Sequence, residues 1–325
     1  MTSAFSVPDP QRIALKIQYF GANFHGWQRQ KHHRSVQATL EQCLQQQLKE
    51  PITLHGAGRT DTGVHGSGQV AHFDTVTRIP PEHWGIVLNN RLPPDVAITA
   101  TAAVASDWHA RFSAIWRRYR YLILNRDQPD VFLGLFSWHH RGGLCAKAMS
   151  DALESLIGSH DLELFRRAGS PRPHSWVTVQ DVACQRQGDL IAIEVQSSGF
   201  LYRMMRLLVG ALACVGRGDI SASEFVQMWQ TKDWSPMRNR FSAPPQGLCL
   251  IGVGYPSDPF AACSPAGRYL IPAGDNFSPA LALSDWEHSH PSHPQSKAIR
   301  SEGVGCIRAE LSGRPELSTR LDPCP

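Results

Sequence analysis

From Arg12 to Phe20 apolar and polar residues partly alternate, the period of a strand with one buried face. After it the period changes. Val36, Leu40, Cys43, Leu44 and Leu48 recur at helical spacing behind Ser35, a residue suited to cap a helix, and Pro51 limits that helix. Ile52 to Leu54 then runs into a glycine-rich loop, Gln69 to Phe73 leaves it as a strand, and Pro81 opens a short helix through Leu88. Ile98 to Val104 is again strand-like. This order predicts an α+β layer rather than alternating parallel units.

The mixture continues further along. Trp116 to Leu124, Trp176 to Arg186 and Leu190 to Val195 predict strands, and Leu144 to Ile157 and Phe200 to Val215 predict helices. In the second helix Leu201, Met205, Leu208 and Leu212 form one apolar stripe. Ser221 with Glu224 makes a capping box before a last short helix. Two α+β halves are expected, residues 1–105 and 106–256. Beyond Pro256 the periodicity ends: residues 257–325 hold 10 Ser, 9 Pro and 5 Gly, with a His/Ser/Pro tract from Ser289 to Pro294. That composition predicts a disordered tail.

Composition narrows the class. With 42% hydrophobic residues over 325 positions, a sizeable core is available. The net charge of +4 is uneven: residues 1–256 carry +6 and the remainder −2, a balance that suits a phosphate-rich partner. Eight cysteines without a Cys-x-x-Cys pair indicate neither a zinc framework nor a disulfide scaffold. Fifteen histidines include the adjacent pairs His32-His33 and His139-His140 but no His-Glu-x-x-His, so no metal is expected. Met1 to Gln11 lacks a basic segment followed by an apolar run, and no stretch of 18 apolar residues occurs. A soluble cytoplasmic protein without a membrane span is expected.

The chemistry concentrates in Gly56-Ala57-Gly58-Arg59-Thr60-Asp61-Thr62-Gly63-Val64-His65. Its glycines permit a sharply turning backbone, and Arg59 and Asp61 two residues apart predict a carboxylate beside a fixed positive charge. Such a carboxylate is better suited to act as a nucleophile than as a proton donor. The loop is no phosphate cradle for a nucleotide cofactor. Gly56-x-Gly58 lacks the third glycine of the dinucleotide fingerprint, and no Gly-x-x-x-x-Gly-Lys-[Ser/Thr] occurs.

Gly58-Arg59-Thr60-Asp61, Gly63-Val64-His65 and Gly68 to Phe73 resemble the active-site signature of the TruA-type tRNA pseudouridine synthases. Further motifs follow in the same order: Tyr19-Phe20-Gly21, Phe24 to Gln30, Ser35-Val36-Gln37, Leu88-Asn89, Leu92-Pro93, His109 to Phe112, Arg118 to Tyr121, Gly199 to Arg206 and Ala243 to Leu248. The resemblance spans about residues 11 to 256. It implies two related α+β halves sharing a mixed sheet, with a cleft between them, and a homodimer acting on tRNA.

The implied reaction converts uridine to pseudouridine at positions 38, 39 and 40 of the anticodon stem-loop. As an isomerisation it calls for no cofactor. The resemblance makes Asp61 the catalytic carboxylate, and three routes stay open: attack on C1′, addition to C6, or assistance in removing the C2′ proton. Arg59 is implied to enter the base stack as the uridine is flipped out. Tyr119 is implied to stack on the uracil and assist at C5, Arg206 to pair with Asp61, and Leu201 and Tyr202 to wall the base pocket. His109, Arg111 and Phe112, and the loop carrying Arg166, Arg167 and Arg172, are candidate RNA contacts. The rival readings are a pseudouridine synthase with another RNA target and a noncatalytic RNA-binding protein of the same fold.

Overall fold

The computed structural model describes residues 10–169, 172–237 and 240–261. The elements in chain order are β1 (Gln11–Tyr19), α1 (Val36–Leu48), β2 (His55–Gly56), β3 (His65–Thr75), α2 (Trp84–Asn89), β4 (Val96–Val104), β5 (Trp116–Asn125) and β6 (Trp138–His140). They continue with α3 (Ala146–Glu154), β7 (Gly158–Asp161), β8 (Trp176–Gln187), β9 (Leu190–Ser197), α4 (Met204–Arg217), α5 (Ala222–Thr231) and β10 (Leu248–Gly254). The expected strands and helices are present, and the class is α+β.

One sheet runs in the order β4-β1-β3-β10-β5-β9-β8-β7, with β2 beside β3 and β6 beside β5. It is mixed. Most neighbours are antiparallel, but β10 lies parallel to β3 on one side and antiparallel to β5 on the other. Strands from the first 104 residues therefore occupy one flank, those from residue 116 to 197 the other, and the last strand joins them.

β1 shows how the sheet divides the core. Ile13, Leu15 and Ile17 join α1 and α2 in one cluster, while Ala14, pointing to the other face, joins a smaller cluster with Ala57, Val70, Ala110, Tyr255 and Phe260. The small residues on that second face let the segment after β4 cross close to the sheet, and the Tyr255 hydroxyl donates to Ala110 O at 2.7 Å. The remaining large cluster packs β5, β8 and β9 against α3, α4 and α5.

Four details depart from the sequence pattern. β3 is buried along nearly all its length, so strand alternation is hidden, and Gly66 lies against the Tyr19 ring where a Cβ would come within 2.5 Å. β10 is an apolar run without alternation, buried at the sheet centre between β3 and β5. α3 is shorter than the Leu144 to Ile157 pattern. α4 starts at Met204 rather than Phe200, because Arg203 takes the left-handed conformation (φ 60°, ψ 16°). Ser35 and Ser221 cap α1 and α5 as expected, the latter with the full capping box.

Of the segment 257–325, residues 257–261 are described and Phe260 is buried; the rest of the expected tail lies outside the described residues. No described helix is long and apolar enough to cross a membrane.

Candidate active site

The loop between β2 and β3 is held by backbone contacts from the segment after β1. Trp27 N donates to Thr60 O at 3.1 Å and Gly63 N donates to Phe24 O at 3.2 Å, so the chain is gripped on both sides of Asp61. The fit requires Gly26. Its φ is 82°, and a Cβ there would stand 2.4 Å from Thr60 O. The Tyr19 hydroxyl meets Thr60 Oγ1 at 2.9 Å, and Gln69 Nε2 donates to Gly58 O at 2.9 Å.

A buried polar network braces this grip. Gln37 Nε2 donates to Glu41 Oε1 and Leu54 O, and its Oε1 accepts from Gln28 Nε2 and Arg29 N. Leu54 N donates to Glu41 Oε1 at 3.0 Å, and Arg29 Nη1 meets Glu41 Oε2 at 2.9 Å. The motifs Phe24 to Gln30 and Ser35 to Gln37 thus serve one purpose: they fix the backbone that carries Asp61. His65, at the loop's exit, accepts from Gly21 N through Nδ1 and donates from Nε2 to Leu135 O. Burial lowers its pKa, consistent with a neutral ring in that tautomer.

Asp61 faces two arginines from the turn at the head of α4. Arg206 Nη1 lies 3.3 Å from Asp61 Oδ2, and Arg203 Nε lies 3.8 Å from the same oxygen. Arg206 is held from behind: its Nε donates to Ala243 O at 2.7 Å while Ala243 N donates to Arg206 O at 2.8 Å. The Tyr121 hydroxyl donates to Pro244 O at 2.8 Å, and Pro245 lies against Gly63. The segment Ala243 to Leu248 is therefore a buttress linking the arginine, the loop and the sheet. Burial draws the Arg206 pKa below the ordinary arginine value; the Asp61 charge opposes this and the Arg203 charge reinforces it.

Tyr119 stands on β5, paired with Leu250 of β10 and Val195 of β9, at the centre of the sheet. It is 7% exposed and meets the Phe200 ring edge to face, with centroids 4.7 Å apart. Burial first, then the Asp61 charge, raises its hydroxyl pKa above the ordinary tyrosine value, so Tyr119 offers a proton-bearing oxygen near the carboxylate. Leu201 is buried in the cluster that includes Tyr119, and Tyr202 is exposed.

The pairing expected of Arg59 and Asp61 is corrected by the geometry. Asp61 takes as its charge partners Arg206 in the first turn of α4 and Arg203 just before it, and Arg59 is exposed and makes no ion pair among the described residues. The glycine-hinged loop points the two side chains to different neighbours. Arg203 escaped the sequence reading because the helical pattern from Phe200 placed it one turn inside a helix; its left-handed backbone instead swings it to the carboxylate.

Arg117 ties the surrounding loops together. Its Nη1 donates to Ala114 O and Ser198 O, and its Nη2 to Ala57 O and Arg111 O. His109, Arg111 and Phe112 are thereby held beside the loop that carries Asp61, with Phe112 75% exposed. His109 Nδ1 accepts from Arg111 N at 3.0 Å, and Ala110 N donates to His72 Nδ1 at 3.2 Å. Burial, then the charges of His109 and Arg12, draw the His72 pKa down to about 4. Of the second arginine loop, Arg166 pairs with Glu163 at 2.7 Å, and Arg172 Nη2 donates to Trp176 O at 2.8 Å.

A family model described as tRNA pseudouridine synthase matches residues 16–113 and 152–256, more than half of the chain. The chain belongs to the tRNA pseudouridine synthase family. The tRNA pseudouridine synthase A of Thermosynechococcus vestitus is 51% identical over 269 residues, 82% of this chain and 94% of that protein. The one from Nostoc sp. is 51% identical over 251 residues, covering 77% and 88% respectively. That of a Synechococcus sp. is 49% identical over 281 residues, 85% of this chain and 94% of the relative. The matched stretches of the tRNA pseudouridine synthase model include Asp61, Arg206 and the segments that buttress them.

Proposed function

We propose that the chain isomerises uridine to pseudouridine at positions 38, 39 and 40 of the tRNA anticodon stem-loop, with Asp61 as the nucleophilic carboxylate. The observation that carries this reading is the pairing of Asp61 with Arg206 on a loop gripped from both sides. The net reaction breaks the N1–C1′ bond, forms C5–C1′, releases the proton from C5 and gives one to N1, so atoms balance without a cofactor. Arg206 keeps the carboxylate oriented, and the Tyr119 hydroxyl serves proton movement at C5. Leu201 and Tyr202 wall the base.

Arg59, exposed and free of an ion pair among the described residues, fills the stack left by the flipped nucleotide. His109, Arg111 and Phe112 take the flanking backbone and bases. The basic body continues across a homodimer, the enzyme works in the cytoplasm, and the halves 1–105 and 106–256 approach the RNA from two sides. Residues 257–325 are dispensable for the chemistry.

The test is Asp61→Asn, assayed on undermodified tRNA with pseudouridine mapped by chemical labelling. Turnover should vanish while tRNA affinity stays within roughly threefold, because only the anionic oxygen is lost. Substantial pseudouridine formation by this variant rejects the assignment, and a wild-type protein without activity leaves a noncatalytic RNA-binding role. Modification confined to another RNA would retain the chemistry but replace the target.

A further inference from the structure

Three non-glycine residues take positive φ among the described residues: Lys49, Lys232 and Arg203. Lys49 and Lys232 close the C-termini of α1 and α5, where a left-handed residue is a common way to end a helix. Arg203 precedes α4. A residue in that place ordinarily has an extended backbone and caps the helix with its side chain; Arg203 does neither. The strained conformation therefore lacks a helix-ending explanation.

What it achieves is the placement of the side chain. Arg203 Nε is shut off from solvent, has no hydrogen-bond partner, and lies 3.8 Å from Asp61 Oδ2. Its guanidinium is 5.6 Å from the Tyr202 ring centroid, near the outer limit of a cation–π contact, and Tyr202 is itself exposed, so the ring is a weak anchor. Arg203 and Arg206 also repel one another. A strained backbone, an orphaned donor and a like-charge neighbour all converge on one carboxylate oxygen, a combination that clusters at functional sites.

We propose that Arg203 is a second positioning residue for the catalytic carboxylate: with Arg206 it holds Asp61 Oδ2 and leaves Oδ1 as the oxygen presented to the nucleoside. This rests on Asp61 being the catalytic group. Oδ1 accepts no hydrogen bond among the described residues, whereas both guanidiniums address Oδ2. One oxygen is thus neutralised and fixed while the other keeps its lone pairs for reaction, which orients the carboxylate before the substrate arrives.

The backbone conformation supplies the test. Glycine adopts φ near 60° without strain, so Arg203→Gly removes the guanidinium while preserving the turn. Its Tm should equal or exceed that of the wild type. On undermodified tRNA its kcat should fall at least about tenfold with KM within about threefold, and Arg203→Lys should restore part of the loss. Wild-type kcat in Arg203→Gly overturns the proposal. So does a raised KM at unchanged kcat, which would make Arg203 an RNA-binding residue, or a fall in Tm paralleling the activity, which would make it structural. Asp61→Asn measured alongside keeps the two readings apart: activity in that variant removes the catalytic carboxylate itself, whereas its inactivity together with a fully active Arg203→Gly removes only the role of Arg203.

Discussion

Gly26→Ala tests whether the grip on the loop that carries Asp61 sets the rate. The added Cβ would stand 2.4 Å from Thr60 O, and 3.1 and 3.2 Å from Asp61 C and Thr62 N. Relaxing the first contact to the roughly 3.3 Å of a close carbon–oxygen approach requires about 0.9 Å of movement. That movement falls on the backbone that carries Asp61 and disturbs its 3.3 Å contact with Arg206. A misplacement of about 1 Å costs on the order of a hundredfold in rate. Alanine at φ 82° costs a further ~1 to 2 kcal/mol of stability, or several degrees of Tm at about 2 to 4 °C per kcal/mol.

Gly218→Ala separates the two effects. Gly218 has φ 78° at the end of α4 and nothing within 4 Å of where a Cβ would be, so it suffers the strain without the collision. The assay is single-turnover release of tritium from tRNA labelled at uridine C5. Gly26→Ala should lose roughly thirty- to hundredfold in rate, while Gly218→Ala loses Tm and keeps its rate within about twofold. Equal rates in the two variants would refute the reasoning.

Arg59→Ala should lose about tenfold more activity on a structured stem-loop than on an RNA whose target uridine is unpaired, because the flipping cost is absent from the second; equal defects would remove the flipping role. His72, with a folded-state pKa of about 4 against an ordinary 6.5, is held neutral, so its contribution is complete above about pH 6.5 and drains as pH falls toward 4. That is worth up to about 3 kcal/mol, and a plot of Tm between pH 7 and 4.5 should be flatter for His72→Gln than for the wild type; parallel curves would count against it. Truncation after Pro256 removes Phe260 from its cluster with Ala14, Val70 and Tyr255, whereas truncation after Ala261 keeps it, so melting should find the shorter protein several degrees less stable; identical melting would mean that Phe260 contributes nothing.

The elements whose buried positions are interrupted by polar ones were legible from their period. β1 and α1 stand within a residue or two of their patterns because half-buried Lys16 and Gln18 alternate with buried Leu15, Ile17 and Tyr19 in β1, and core and solvent divide the side chains of α1. β3 was legible only from Gln69 to Phe73 of its full His65–Thr75 length and β10 not at all, because both lie in the middle of the sheet, where burial from both faces hides alternation and an apolar run has no period to read. At the site, Asp61 and Arg206 were readable as a motif resemblance, separated by 145 positions yet joined at 3.3 Å. Arg203 was not, because its role depends on a backbone angle that side-chain periodicity does not encode. Nor did the pattern announce Arg117, whose importance lies in the carbonyls it gathers from three separate loops.

The place of β10 at the sheet's midpoint has a consequence for the birth of the protein. Until Leu248 to Gly254 emerges from the ribosome, β3 and β5 each leave part of an edge unpaired, beyond the stretches covered by β2 and β6, and the two flanks lack the strand that unites them. Such edges invite pairing with other chains. The nascent polypeptide must therefore reach residue 254 before its sheet is sealed, and a ribosome that stalls just short of Leu248 releases a sticky product whose two flanks were never joined.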